Sequence, residues 1–208
     1  MTYKIGSFNM RNLSYRSNRD FDKIAQIIDE EDFDIVAMQE VLNENVFNQL
    51  LKCLHPGKKQ WAYRWFQPKL KNNYDTEDKR GEGYAYLWNT KRIDLVKTSL
   101  ADGTVRESQP VIWSQYSKKN GGRLEREPYY ARFSPAGKPG GSFFEIRLIN
   151  THIIYGDTKF ERLEEFHKLV ENVYVNIANR RYGNNMPAYT ILLGDYNLTT
   201  TQIQSHFC

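Results

Sequence analysis

Two strand-like runs at opposite ends of the chain finish on acid or amide side chains, and this pairing constrains the fold more than any other feature. Near the start, Tyr3 to Phe8 leads into Asn9; near the end, Thr190 to Gly194 leads into Asp195-Tyr196-Asn197. Polar groups at strand ends, where loops open to water, are the usual way in which a rigid sheet presents ligands. A pattern of this kind favours a site over a bare scaffold.

The rest of the chain supplies the layers around those strands. Asp20 is placed to cap a helix whose Phe21, Ile24, Ile27 and Ile28 recur at helical spacing, and Ile35-Val36-Ala37-Met38 then reads as a short buried strand ending at Gln39-Glu40. A second helix carries Val46, Phe47, Leu50, Leu51 and Leu54 on one face and stops at Pro56-Gly57. Strand-like stretches follow at Trp61 to Phe66, Gly83 to Asn89, Ile93 to Leu100, Val111 to Tyr116, Tyr129 to Phe133 and Phe143 to His152. Thr158 and Glu161 form a capping-box signature ahead of a long amphipathic helix running to about Arg180, with Phe166, Leu169, Val173 and Ile177 on its apolar face. Thr199 or Thr200 is set to cap a last helix through Phe207. Without repeats, low-complexity tracts or linkers, residues 1–208 read as one α/β domain with helices covering sheet faces.

Length and composition bound the function. A chain of 208 residues with 40% hydrophobic residues is enough for one core. Lys and Arg (29) only modestly exceed Asp and Glu (25), so charge favours anionic partners without defining one. Cys53 and Cys208 are the only cysteines, which excludes a disulfide framework and a cysteine-rich zinc site. With no apolar signal-like segment at the start and no membrane-length apolar run, the expectation is a soluble protein, cytoplasmic unless a leader has been removed.

Several polar positions invite a chemical role, each beside a plainer one. Glu40 belongs at the carboxyl end of a buried strand, where ligands collect in open sheets; a solvated glutamate is the alternative. Asp195 and Asn197 lie two apart, so a carboxylate and an amide face a common point, suited to orienting a water and a phosphate oxygen, or simply build a turn. Asn9 has the same ambiguity. His152 closes the run from Phe143, and an imidazole titrating near neutrality suits proton transfer. Glu82, within Gly81-Glu82-Gly83-Tyr84, suits an acid that orients that histidine, or an ordinary loop acid. Arg126, before Glu127-Pro128, offers paired donors for a phosphate, and Arg123 nearby is as readily surface charge.

Taken in order, Ser-Phe-Asn-Met-Arg (7–11), Met-Gln-Glu (38–40), Gly-Glu-Gly-Tyr (81–84), Arg-Glu-Pro (126–128), Asn-Thr-His (150–152) and Gly-Asp-Tyr-Asn (194–197) resemble the endonuclease/exonuclease/phosphatase superfamily, most closely its pancreatic-type deoxyribonucleases. The resemblance implies a four-layer α/β sandwich, two packed mixed sheets with outer helices. It implies hydrolysis of a phosphodiester or phosphomonoester with Mg2+, or Mn2+ or Ca2+ in its place. It assigns Asn9 and Glu40 to the metal, Glu82 and His152 to a paired acid and histidine, Arg126 to a phosphate contact shared with Asn9 and Asn197, and Asp195 with Asn197 to water and phosphate positioning. The set Glu82, Arg126 and His152 resembles the deoxyribonuclease branch, so an endonuclease acting on DNA in preference to RNA is the leading expectation. Lys69, Lys71, Lys79 and Arg80, with Tyr74 in the same polar loop, suit backbone phosphates. Phosphoinositide or sphingolipid hydrolysis, and a non-catalytic nucleic-acid or protein-binding role, are the rivals.

One departure accompanies these matches. Family members continue beyond Gly-Asp-Tyr-Asn to a terminal Ser-Asp-His motif, whereas here eleven residues follow Asn197. A fold incomplete at its C-terminal end is expected to catalyse poorly and to self-associate through an unpaired sheet edge.

Overall fold

A computed structural model describes residues 2–14, 16, 18–54, 60–67, 69–70, 79–113, 124–137, 143–182 and 186–207. They divide into two compact units, Met1–Asp94 and Leu95–Cys208.

The first unit is built on a four-stranded sheet in the order β1-β2-β6-β3. Strand β1 (Ile5–Leu13) runs parallel to β2 (Ile35–Val41) and is joined to it through helix α1 (Phe21–Glu30). The connection is helical because Asp20 accepts the Lys23 N–H at 3.0 Å, while Phe21, Ile24, Ala25 and Ile28 form a stripe that packs on the sheet. Ile27, expected on that stripe, is 48% exposed, since its neighbour Ile28 takes the inward position. Helix α2 (Val46–Cys53) buries Val46, Phe47 and Leu50 on the same core and ends at Leu54. Strand β3 (Trp61–Phe66) pairs antiparallel with β6 (Tyr84–Asn89), which is buried at every residue between β3 and β2. Trp61, Tyr63 and Trp65 pack against the core, as their alternation predicts, with the Tyr63 ring stacked on Phe47 at 4.4 Å. Strands β4 (Lys69–Leu70) and β5 (Lys79–Arg80) form a short pair in the polar loop, whose residues 71–78 lie outside the described residues.

Strand β1 runs four residues further than expected because it bulges. Asn9 stands opposite Gln39 and Leu13 opposite Val41, so three residues of β1 lie between partners that β2 separates by one. Two of the three, Arg11 and Asn12, are left-handed, with φ of 47° and 59°. The buried Leu13 re-anchors the strand beyond the bulge.

The predicted strand Ile93–Leu100 is two elements, β7 (Ile93–Leu95) and β8 (Lys97–Ser99), because the Val96 N–H bonds to the Arg132 carbonyl while β8 turns into a hairpin with β9 (Val105–Glu107). The sheet of the second unit carries the order β10-β11-β12-β13. Strand β10 (Val111–Ile112) and strand β12 (Glu145–His152) flank β11 (Tyr129–Pro135) antiparallel, and β12 runs parallel to β13 (Ala188–Asp195). The β12–β13 crossover is helical, as the capping box predicts. Thr158 accepts the Glu161 N–H at 3.2 Å and Glu161 reaches back to the Asp157 and Thr158 N–H groups. The helix is continuous but changes pitch: α3 (Lys159–Lys168) passes through a π-helical stretch, Leu169–Tyr174, into α4 (Val175–Asn179). Phe166, Leu169, Val173 and Ile177 stay on the buried side throughout. Helix α5 (Thr200–Phe207) starts at a Thr199 cap that accepts the Gln202 N–H at 3.3 Å. Both units are thus mixed parallel and antiparallel sheets with helices, the α/β class expected.

Candidate active site

In the first unit the expected metal-side residues meet where the β1 bulge faces the end of β2. Glu40 is half-buried and left-handed, with φ of 58°, a conformation a glutamate adopts only when its surroundings enforce it. The β1 bulge does so. The Asn9 amide donates to Glu40 Oε1 at 2.7 Å, and the Asn12 backbone N–H donates to Oε2 at 2.9 Å. Asn9 is oriented in turn, its Oδ1 accepting the Arg11 N–H at 2.8 Å. Asn9 therefore orients Glu40, and the two left-handed residues Arg11 and Asn12 bring the second donor into range.

Glu82 joins this group from the segment that enters β6. A carboxylate oxygen of Glu82 and one of Glu40 lie within 4.8 Å of each other. The approach depends on Gly83, whose carbonyl accepts the Val41 N–H at 3.0 Å, and where a Cβ would stand 2.3 Å from the Val41 oxygen. Two half-buried carboxylates this close repel unless a cation or a proton lies with them. Hard oxygen donors of this kind suit Mg2+, Mn2+ or Ca2+ over softer metals.

The second unit gathers Arg126, His152, Asp195 and Asn197. His152 is 5% exposed and stands directly opposite Asp195 in the parallel β12–β13 register. The Asp195 carbonyl accepts the Ile153 N–H at 2.9 Å, which extends the pairing past the strand ends. Asp195 Oδ1 then accepts the Asn197 N–H at 2.9 Å, and the Asn197 amide donates to the Ile153 carbonyl at 2.8 Å. With φ of 48° at Asn197, the tetrapeptide has the turn chemistry its composition suggests and still fixes both polar side chains. The same Ile153 oxygen lies 3.5 Å from an Arg126 guanidinium nitrogen, a long contact. Gly194 makes the strand end possible: its φ is 143° and a Cβ there would lie 1.9 Å from the Thr151 oxygen. Arg123 lies outside the described residues.

Two further residues hold this cluster, and neither stood out in the sequence. Glu165, on α3 and 7% exposed, accepts the Glu125 N–H at 2.8 Å with one oxygen and the Ile154 N–H at 2.9 Å with the other. One carboxylate thus ties the Arg126 loop to the residues following His152. Burial pushes the Glu165 carboxyl above the ordinary carboxylate range, and the two N–H donors partly oppose that rise. Its signal was an acid four residues before Leu169, on the buried face of an otherwise apolar stripe. Tyr196 packs edge-on against Phe166 at 5.0 Å, pinning the Asp195–Asn197 turn to the same helix, and burial raises its hydroxyl pKa.

The chain belongs to the endonuclease/exonuclease/phosphatase family, whose model matches residues 6–207. No curated protein matches the sequence. Among solved structures, it is similar to an endonuclease/exonuclease/phosphatase family protein of Bacteroides thetaiotaomicron (TM-score 0.58, 22% identity, covering 99% of this chain and 67% of the other). It is also similar to the mannosyl-6-phosphatase Bt3783 of Bacteroides thetaiotaomicron VPI-5482 (0.58, 23%, 99% and 70%). A third similarity is to D. rerio TDP2 complexed with single-strand DNA product (0.57, 15%, 99% and 64%). These likenesses show a shared fold, and the chain spans about two thirds of the length of those proteins.

Proposed function

We propose that this chain is a metal-dependent phosphodiester hydrolase, an endonuclease acting on DNA. The observation that carries the reading is the Glu40–Glu82 carboxylate pair, within 4.8 Å, in a chain of a family of phosphoesterases. In this reading residues 1–208 act as one domain, supported by the family match running through both units from residue 6 to 207. Glu40, Glu82 and Asn9 would hold the cation, which when bound supplies positive charge to a phosphoryl oxygen. His152 moves a proton, and Glu82 contributes an acid. Asp195, whose carboxylate is oriented by Asn197, positions water. Arg126, Asn9 and Asn197 bind the phosphate. In-line displacement at phosphorus is catalysed chiefly by positioning and charge neutralisation, and these residues are equipped for both.

The choice of DNA rests on the motif resemblance to pancreatic-type deoxyribonucleases and on the DNA product held by one protein of the same fold. A second reading, phosphomonoester hydrolysis, is favoured by the mannosyl-6-phosphatase of similar fold. Plasmid nicking, single-strand cleavage and release of phosphate from mannose 6-phosphate, each with Mg2+ and with chelator, separate the two. Chelator-sensitive nicking that disappears in Glu40→Gln and His152→Ala is the expected result; phosphate release without nicking would replace the first reading by the second. The exposed Tyr189 and Ile191 of β13 support self-association along that strand, which light scattering at rising concentration would detect.

A further inference from the structure

We propose that a cavity of about 510 Å3 in the second unit, lined by Arg106, Arg132 and Arg180, is a binding site for a phosphate group, free or within a nucleotide chain. None of the proposed catalytic residues lines it. Its aromatic walls are Trp113 on the end of β10, Tyr130 on β11 and Tyr182 beyond α4.

The first argument is charge. Beside the cavity, the buried Glu145 carboxylate faces two guanidinium groups: Arg132 binds one oxygen through Nε at 2.9 Å and through Nη2, and Arg147 binds the other. One carboxylate against two guanidinium groups leaves one net positive charge, eased on the Arg147 side by the Ile177 and Ala178 carbonyls that its Nη1 reaches at 2.7 and 3.4 Å. Such an excess is costly in a medium of low polarisability, and an anion in the adjoining space relieves it. Arg106 and Arg180 add to the same sign, and no carboxylate pairs with either among the described residues. The nearest acid along β9, Glu107, accepts the Gln109 amide at 2.8 Å.

The second argument is geometry. Arg132 lies 3.5 Å from the centre of the Tyr182 ring, and Arg180 lies 5.2 Å from that of Trp113 and 5.3 Å from that of Tyr182. Rings that cover guanidinium faces fix their planes; the Nε and Nη2 edge of Arg132 is taken by Glu145, which leaves Arg106 and Arg180 as the cavity's principal donors. Tyr130 and Tyr182 brace the wall through a hydroxyl contact of 3.1 Å. A planar guanidinium fork matches the tetrahedral oxygens of phosphate by paired donors. The volume suits a small ligand or one nucleotide of a chain.

The test is calorimetric titration of the full chain in chelator with inorganic phosphate, AMP and a twelve-residue oligothymidylate. Chelator makes the result independent of hydrolysis, so failure here leaves the proposed function standing and the reverse also holds. Arg180→Glu is expected to weaken binding of all three probes at least about tenfold. Arg181→Glu, an equal charge change at an exposed neighbour that does not line the cavity, is expected to alter it less than about twofold. Arg180→Gln, which keeps polarity, replaces Arg180→Glu if the latter loses its near-ultraviolet dichroism. Oligothymidylate binding much tighter than AMP, with a steep salt dependence, identifies a nucleic-acid strand as the source of the phosphate; equal affinities identify a free one. Equal losses in the Arg180 and Arg181 variants, or no binding of any probe by the wild type, would overturn the proposal.

Discussion

In the first unit the polar residues at the strand ends hold one another; in the second they are held from outside by a helix. Both units begin from the same device, a parallel strand pair joined through a helix, β1 with β2 and β12 with β13. Both place a left-handed residue by the pairing, Glu40 opposite the bulge in one and Asn197 just past the last pair in the other. The first then uses a bulge, so that Asn9 and the Asn12 N–H converge on Glu40. The second keeps its strands in register and sends Glu165 from α3 to bind both flanking segments. A bulge places side chains through backbone shape, whereas a buried carboxylate places segments through the two N–H groups it accepts.

The largest effect that bears on the comparison is catalytic. His152→Ala is expected to lower hydrolysis about a thousandfold or more with the fold intact, measured by initial rates alongside far-ultraviolet dichroism. Retention of most activity would remove the second unit from the chemistry. Next come the glycines that permit the close approaches. Gly194→Ala is expected to cost about 3 kcal/mol or more in urea unfolding, because it combines a disfavoured φ with collision against a carbonyl. Gly83→Ala, colliding with the Val41 oxygen, should cost a comparable amount, and a cost below about 1 kcal/mol at either would show that strand end to be adjustable.

Glu165→Gln is expected to cost about 2 kcal/mol, since an amide accepts through one atom only and leaves one N–H unsatisfied. Its pH signature has a definite sign. Because burial holds the folded-state pKa above the unfolded one, the folded protein binds the proton more tightly. The stability this contributes is complete below the ordinary carboxylate range and declines as pH rises through the raised value. The Gln variant should lose that decline, which unfolding curves across mildly acidic pH would record. A smaller effect is expected in the first unit: Asn9→Ala should weaken Mg2+ binding about tenfold by releasing Glu40, as read by metal titration. Smallest is Thr158→Ala, about 1 kcal/mol from loss of the α3 cap, seen as a lowered Tm.

What could be read from the residues beforehand follows from how local its cause is. The run Ile35–Met38 announces a strand buried on both faces, and Thr158 with Glu161 announces a helix start, because each signal lies within a few residues of its effect. The polar ends at Asn9, Glu40, His152 and Asp195 were legible for the same reason. The extension of β1 to Leu13 was not, because Arg11 and Asn12 carry no strand pattern and Asn12 is held by Glu40 from another strand. Nor was the break at Val96, where the partner is the Arg132 carbonyl. Glu165 was hidden because an acid on an amphipathic helix ordinarily faces water, and only the arrival of two distant N–H groups gives it a reason to face inward.

The left-handed backbone at Glu40 also limits how this molecule can change. Side chains that tolerate that conformation are few, chiefly glycine, asparagine and aspartate, and each is shorter than glutamate or lacks its charge. If Glu40 holds the cation as proposed, substituting the position to alter cation preference would either strain the main chain or pull the carboxylate oxygen back from its neighbours. Specificity for a new metal is more accessible at Glu82 or around it, where no such constraint on φ operates.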